Sequence, residues 1–434
     1  MANIRDNIRN EIDRVRTQNR KILEKYEQAP INLVTPKNIF GGMRGITSMV
    51  CNTSFVVPEK GLLIKGYHIS EVADKTPEEI FYLMCTGSFP SERELKKFQK
   101  NLALRSKVPR EVWNVLMNLP DDTHPMSMLS IAIMILSRDS FFREKYETGL
   151  RRRDFWKSTL EDSLELIAKL PTIAAGIYRI RYEKDDFIPN YDMELDWSTN
   201  YANMLGLEND SEQFADLMRL YMVLHCDHEG CNASAYTTRI VNSTLSDIYK
   251  SVAAGLNALA GPLHGLANQE VTKYILAIYD NFDGIPSLEQ MQEYIRSTLK
   301  LGRVLPGYGH AVLRGTDPRF TEILKFTKKH KIKDDLIEIV KLIYRVAPDV
   351  LKDFSKGKIA SPYPNVDAIT GSVLYHFGLN RFEYYTVLFG VSRVLGFCAQ
   401  AIIARGLVSP IVRPRSITTK GLEEFCEKLQ KSKE

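Results

Sequence analysis

Ala260-Gly-Pro-Leu-His-Gly-Leu-Ala-Asn-Gln-Glu-Val271 joins two helical stretches through a break, and the chain is read outward from it. Before it, Ser251 to Ala260 is rich in Ala, Gly and Ser, which lets helices approach closely. Gly261 and Pro262 stop that run. After them Leu266, Ala267, Glu270, Val271 and Tyr274 carry helical spacing, with His264 in or just before the first turn. A helix start presents unpaired N–H groups and partial positive charge. That field disfavours imidazolium, so His264 is expected neutral and able to donate one N–H to a developing oxyanion. A core histidine beside a break is the plainer alternative; His310, Asp367 and several arginines further along weigh against it.

Helix signals dominate the rest. Thr76-Pro-Glu-Glu79 reads as a capping box with proline at the first helical position. Ser91 with Glu94, Ser158 with Glu161 and Ser287 with Gln290 repeat the pattern. Ile4, Ile8, Ile12 and Val15 mark an amphipathic helix reaching toward Tyr26, laid on its own domain or on a second copy. Phe55-Val-Val57, Pro58-Glu-Lys-Gly61 and Leu62-Leu-Ile64 predict one β-hairpin near the N-terminus. No βαβ alternation and no fixed repeat occur, so the fold class expected is all-α.

The 434 residues suffice for two or three domains. Lys and Arg number 58 against 53 Asp and Glu, scattered rather than striped, which argues against nucleic acid as a partner. Six cysteines in so long a chain are read as reduced thiols. Asp6, Glu11 and Asp13 make the N-terminus unlike a transit peptide, favouring a bacterial cytoplasm over a mitochondrial matrix. Thr386 to Ala404 is apolar enough to invite a membrane reading, but Arg393 at its middle favours a buried helix, roughly Arg381 to Arg405, capped by Gly406. A buried Arg393 must meet either an internal carboxylate or a bound one.

Other polar clusters are more ambiguous. His225-Cys-Asp-His-Glu-Gly-Cys231 lacks zinc-protease order and a second ligand pair, so it reads as a helix end giving one polar histidine to a pocket, with no metal. Arg44 in Phe40-Gly-Gly-Met-Arg-Gly45, the triple arginine 151–153 and Val412-Arg-Pro-Arg415 each default to solvated loops. Pro306, Gly307 and Gly309 force a tight loop before His310, with Arg314 and Arg319 flanking Asp317-Pro318. Pro362 to Gly371 is a proline-pinned approach to Asp367.

Taken together, His228-Glu-Gly, Gly261 to Glu270, Pro306 to Arg314, Thr316-Asp-Pro-Arg319, Pro364-Asn-Val-Asp367 and Phe389-Gly-Val-Ser-Arg393 resemble the citrate synthase family, the type of mitochondria and some bacteria. The resemblance runs from about Gly41 to the C-terminal helix. It implies a two-domain helical homodimer, with residues 1–263 and 373–434 forming a large domain and 264–372 a small domain closing over a cleft. The implied reaction is an acyl transfer condensing acetyl-CoA with oxaloacetate, followed by hydrolysis of citryl-CoA to citrate and CoA in the tricarboxylic acid cycle. No metal or other cofactor is implied, and no membrane.

By the same resemblance Asp367 is the base, His264 the donor to the thioester oxygen, and His310 the group polarising the oxaloacetate carbonyl. His228, Arg319 and Arg393 match oxaloacetate ligands, Arg413 one contributed by the partner subunit, and Arg44, Arg314 and Arg152 contacts to CoA phosphates. The chain departs from the family pattern at Cys231, Gly315 and Ile369-Thr370. A 2-methylcitrate synthase using propionyl-CoA shares all these residues, because one methylene discriminates by only about 1–3 kcal/mol. A non-catalytic structural homologue is the alternative of another class; it has no need of the full acid–base set.

Overall fold

Apolar residues at three- and four-residue spacing form helices along most of the chain in the computed structural model, which describes residues 2–183, 190–207, 211–310, 312–356 and 359–432. Helix α1 (Ala2–Tyr26) buries Ile4, Ile8, Ile12 and Val15 against its own chain, while its second half leaves Ile22, Leu23 and Tyr26 exposed. The predicted hairpin forms from β1 (Ser54–Val57) and β2 (Gly61–Ile64), with Ser54 opposite Ile64 and Val57 opposite Gly61. A short β3 (Tyr67–His68), not expected from sequence, extends the antiparallel sheet.

Around these lie α2 (Pro77–Thr86), α3 (Glu92–Arg105), α4 (Pro125–Leu136), α5 (Phe155–Tyr178), α6 (Ser211–His225), α7 (Ala233–Ser243) and α8 (Ile248–Leu259). Thr76 with Glu79 and Ser91 with Glu94 close capping boxes at α2 and α3. The box expected at Ser158 does not form. Ser158 is buried inside α5, which starts at Phe155, and Glu161 instead pairs with Arg5 and Arg105. A partner gained in tertiary packing overrides the local motif.

Next come α9 (Ala267–Phe282), α10 (Leu288–Lys300), α11 (Pro318–Lys329), α12 (Asp335–Ser355) and α13 (Asp367–His376), which pack chiefly on one another. Ser287 and Gln290 form the expected box at α10.

The long apolar helix is α14 (Tyr385–Gly406), packed against α2, α5, α6, α7 and α8 and buried along almost its whole length. Its length and hydropathy would suit a membrane span, but 89% of that window is covered by protein. Two details of this helix are corrected. Residues 382–384 form a separate 3-10 turn, and Gly406 belongs to the helix rather than capping it. A Cβ on Gly406 would lie 2.3 Å from Ile12 Cδ1, so this glycine admits α1 instead of reversing the chain. The exposed α15 (Thr419–Lys431) ends the chain's described part.

Candidate active site

Two buried guanidinium groups define the site. Arg393, on α14, is 2% exposed, and its Nε donates to the His225 carbonyl at 2.9 Å. Its guanidinium lies 4.7 Å from the Phe389 ring centroid. Among the described residues no carboxylate lies within ion-pair distance of it; the internal carboxylate considered from sequence acts only at longer range, through the charge of the buried Asp227. Burial lowers its pKa to about 10. Arg319, 5% exposed at the start of α11, is differently placed: its Nη2 pairs with Asp317 at 2.7 Å.

His310 and Asp367 are brought together by backbone pairing between their two approaches. Tyr308 bridges Pro364, Gly309 N–H donates to the Tyr363 carbonyl at 3.1 Å, and Asn365 N–H donates to the Gly307 carbonyl at 2.9 Å. Gly307 sits at φ +77°, and a Cβ there would come within 2.8 Å of Ala368 Cα, so only glycine allows the two segments to close. The Asn365 side chain completes the join, donating to the Gly309 carbonyl at 3.2 Å and accepting from Asp367 N–H at 3.0 Å. His310 Nδ1 accepts two N–H bonds, from Val312 and Leu313, each at 3.0 Å. That nitrogen is therefore bare, and the ring's proton sits on Nε2. Burial, then the Arg319 charge, pulls its pKa down to about 4, so the ring is neutral.

Asp367 opens α13, where a helix N-terminus would favour its anion. Burial wins and raises its pKa to about 6, against opposing pulls from Arg319 and Arg393.

His264 lies in a turn that ends before α9 begins at Ala267. Its N–H donates to the Gly261 carbonyl at 2.9 Å, and Thr386 Oγ1 on α14 donates to the Gly265 carbonyl at 3.2 Å. The ring is neutral as expected, with its pKa lowered to about 4, but burial and then the Arg393 charge do this rather than a helix field. Ser234 on α7 presents both its N–H, at 3.3 Å, and its hydroxyl, at 2.8 Å, to His264 Nε2. The hydroxyl also donates to Asn232 Oδ1 at 2.9 Å, so the backbone N–H, which can only donate, sets the direction: Nε2 accepts and the proton sits on Nδ1.

His228 follows the end of α6, its ring centroid 5.6 Å from that of His310. Burial and then the Arg319, Arg393 and His310 neighbours hold it well below the usual histidine range. Its loop is pinned by Asp227, which is fully buried and accepts from Thr53 Oγ1 at 2.6 Å, Ser54 Oγ at 2.9 Å and Gln400 Nε2 at 2.9 Å. Among the described residues no three His, Cys, Asp or Glu side chains group as metal ligands.

His228, His264, His310 and Asp367 thus share the fields of Arg319 and Arg393. Of the other arginines singled out from sequence, Arg314 adds its charge to the pull on His310, while Arg44, Arg413 and Arg152 are not part of this cluster. Arg44 is exposed on the 41–45 turn, and Arg413 is exposed beyond α14. Arg314 is tied through its N–H to the Pro58 carbonyl of the β1–β2 turn at 2.8 Å. Arg152 lines a different cavity with Arg239 and Arg405. Sequence reasoning did not find Ser234, Asn365 or Asp227; each acts through a contact with a segment far away in the chain or with backbone, and carries no local motif.

Comparison with known proteins gives a consistent result. Residues 42–415 match the family model described as citrate synthase, C-terminal domain. The mitochondrial citrate synthase of Xiphias gladius is 43% identical over 97% of this chain and 91% of its own length. Citrate synthase 4, mitochondrial, of Arabidopsis thaliana is also 43% identical, over 94% of this chain and 87% of its own. Among solved structures, the citrate synthase of Pyrobaculum aerophilum superposes with a TM-score of 0.78 at 30% identity, covering 89% of this chain and 94% of that one. That of Thermoplasma acidophilum, in a ternary complex with carboxymethyl coenzyme A and oxaloacetate, gives 0.73 at 26% identity over 87% and 95%.

Proposed function

This chain belongs to the citrate synthase family, and from that premise we propose how its residues divide the reaction. The activity is an acyl transfer in which acetyl-CoA condenses with oxaloacetate and citryl-CoA is hydrolysed to citrate and CoA. Asp367, ionised above about pH 6, takes a proton from the acetyl methyl. A carboxylate is a weak base for that proton and succeeds only if the enolate charge is met as it forms. His264 meets it with Nδ1–H. The new carbon–carbon bond forms at the ketone carbon of oxaloacetate, whose oxygen His310 polarises with Nε2–H and then protonates. Water finally cleaves the thioester.

The observation carrying this reading is Arg393, a buried cation without a carboxylate partner among the described residues. The more distant charge of Asp227 offsets its burial only in part, and an unpaired buried charge costs about 3–5 kcal/mol unless a bound anion answers it. Oxaloacetate brings two carboxylates, and planar guanidinium groups grip carboxylates bidentately. His228 and Arg319 complete the binding set. Residues 264–372 act as the small domain, closing over the bound dianion and excluding water.

Arg413 reaches the substrate of a second copy in a homodimer. Its exposure supports this, as do the exposed Ile411, Ile417, Phe425 and Leu429 around and beyond it. Arg44, Arg314 and Arg152 take CoA phosphates. The compartment is the mitochondrion, the address in the names of the relatives; the acidic N-terminus, which favoured a cytoplasm, belongs to a helix packed on the fold.

The test is release of free CoA thiol from purified protein given acetyl-CoA and oxaloacetate. None released would overturn the reading. Propionyl-CoA run in parallel should give a kcat/KM roughly 10–100-fold lower, the range one methylene allows.

A further inference from the structure

A cavity of about 410 Å3 shares none of the histidines or Asp367 of the candidate active site. It lies between α7, the end of α14 with the 408–411 segment, and the turn before α5, with Phe155 and Leu245 among its apolar walls. Among the described residues three arginines line it, and no Asp or Glu does.

Their states differ from those of surface arginines. Arg405 is 4% exposed; its Nε donates to Asn242 Oδ1 at 3.0 Å, its Nη2 to the Ser246 carbonyl, and its guanidinium lies 4.4 Å from the Phe142 ring centroid. Its Nη1 is buried and has no hydrogen-bond acceptor among the described residues. Arg239 is half-buried, and among the described residues its guanidinium donates only to the Ser409 hydroxyl, at 3.2 Å. The Arg152 side chain, at the cavity edge, makes no hydrogen bond or ion pair among the described residues. Burial depresses the pKa of both Arg239 and Arg405, and for Arg405 the charge of Asp247, which is not in ion-pair contact with it, opposes that only in part. The basic residues beside it on the same turn are answered: Arg151, Arg153 and Lys157 all pair with Asp154.

We propose that this cavity is a binding site for a phosphate-class oxyanion, gripped by Arg152, Arg239 and Arg405 with Ser409 at its rim. The orphan Nη1 of Arg405 supplies a donor already stripped of water, and guanidinium forks match tetrahedral oxyanions in charge and geometry. Two sources present that chemistry: the phosphates of CoA, for which Arg152 is the shared residue, and a free phosphate or polyphosphate. The inference does not rest on the roles given to the histidines, because its readout is binding rather than turnover.

The probe is inorganic pyrophosphate, titrated calorimetrically into the full chain at low and raised salt. Saturable, salt-sensitive binding is expected. Arg239→Gln should weaken it roughly tenfold or more, the order of one charge-assisted contact, with turnover at saturating substrate unchanged. Arg152→Gln, at an exposed position, should weaken it in the same direction. Loss of pyrophosphate binding when CoA is saturating, together with weaker CoA binding in Arg239→Gln, identifies CoA as the source. Undiminished pyrophosphate binding in saturating CoA identifies a free phosphate. Absence of saturable binding, or affinity unchanged in both variants, overturns the proposal.

Discussion

His264 and His310 are the same side chain held by opposite nitrogens. His264 is fixed at Nε2 by Ser234, from a helix 30 residues earlier, and so turns Nδ1–H outward. His310 is fixed at Nδ1 by the N–H groups of Val312 and Leu313, in its own loop, and turns Nε2–H outward. Both are stripped of charge in the same way, by burial beside a guanidinium: Arg393 for the first, Arg319 for the second. The difference teaches that neutrality is general to the site while the tautomer is local. One orientation depends on tertiary packing and can be lost through a single distant side chain. The other is written into the loop and survives any substitution that leaves the loop intact.

The widest break in this comparison comes from the group both histidines serve. Asp367→Asn removes the base and should lower kcat by roughly 10²–10⁴-fold, measured by CoA release. It should also raise the thermal midpoint at pH 7. The carboxyl is raised from 3.8 to about 6, so between those values the folded state binds the proton that the unfolded state releases. Stability contributed by this group is therefore present below about pH 4 and lost as pH rises through 6. Asparagine removes that cost. A variant that is both slower and less stable would contradict the burial argument.

The histidines come next. His264→Ala and His310→Ala should each cost roughly 10²–10³-fold in kcat, the range for one preorganised donor. Nitrogen NMR sharpens the point: at pH 7 His264 should show protonated Nδ1 and His310 protonated Nε2. An imidazolium on either ring would sink the comparison. The pH profile has a smaller reach. Below about pH 6, kcat/KM should fall tenfold per unit as Asp367 takes up its proton. Neither histidine should add a second limb between pH 5 and 8, since both titrate at about 4. An inflection near 6.5 that His264→Ala abolishes would show that its burial is too weak to do what is claimed.

How much of this could be read from the letters depends on distance along the chain. The capping boxes at Thr76, Ser91 and Ser287, the hairpin, and the glycine-broken turns carrying His264 and His310 are local, and local chemistry determines them. The Ser158 box shows the limit of that reasoning, because Arg5 and Arg105 claim its glutamate from other helices. Arg393 could be located but not interpreted, since its meaning lies in which carboxylates are missing around it. Asp227 holds the His228 loop through Thr53, 174 residues away, and Asn365 holds Asp367 through backbone atoms; neither leaves a trace in spacing. Gly406 has the look of a cap, yet serves the approach of Ile12.

The narrowest prediction tests the tertiary half of the comparison directly. Ser234→Ala deletes the hydroxyl at 2.8 Å from His264 Nε2 and leaves the N–H at 3.3 Å, which is long for a hydrogen bond. The ring keeps its place against Phe389, whose centroid is 6.5 Å away, but is left with only that long N–H contact to hold its proton on Nδ1. A loss of roughly one hydrogen bond, about 1 kcal/mol, predicts a fall in kcat of between fivefold and about tenfold. The KM for oxaloacetate should not move, since Ser234 touches none of its proposed ligands. A merely structural serine would lower stability and leave the ring's nitrogen shifts alone. Here the His264 signals should move toward a mixture of tautomers, while those of His310, held by its own loop, stay where they were. Equal displacement of both would mean that the two rings are not independently fixed.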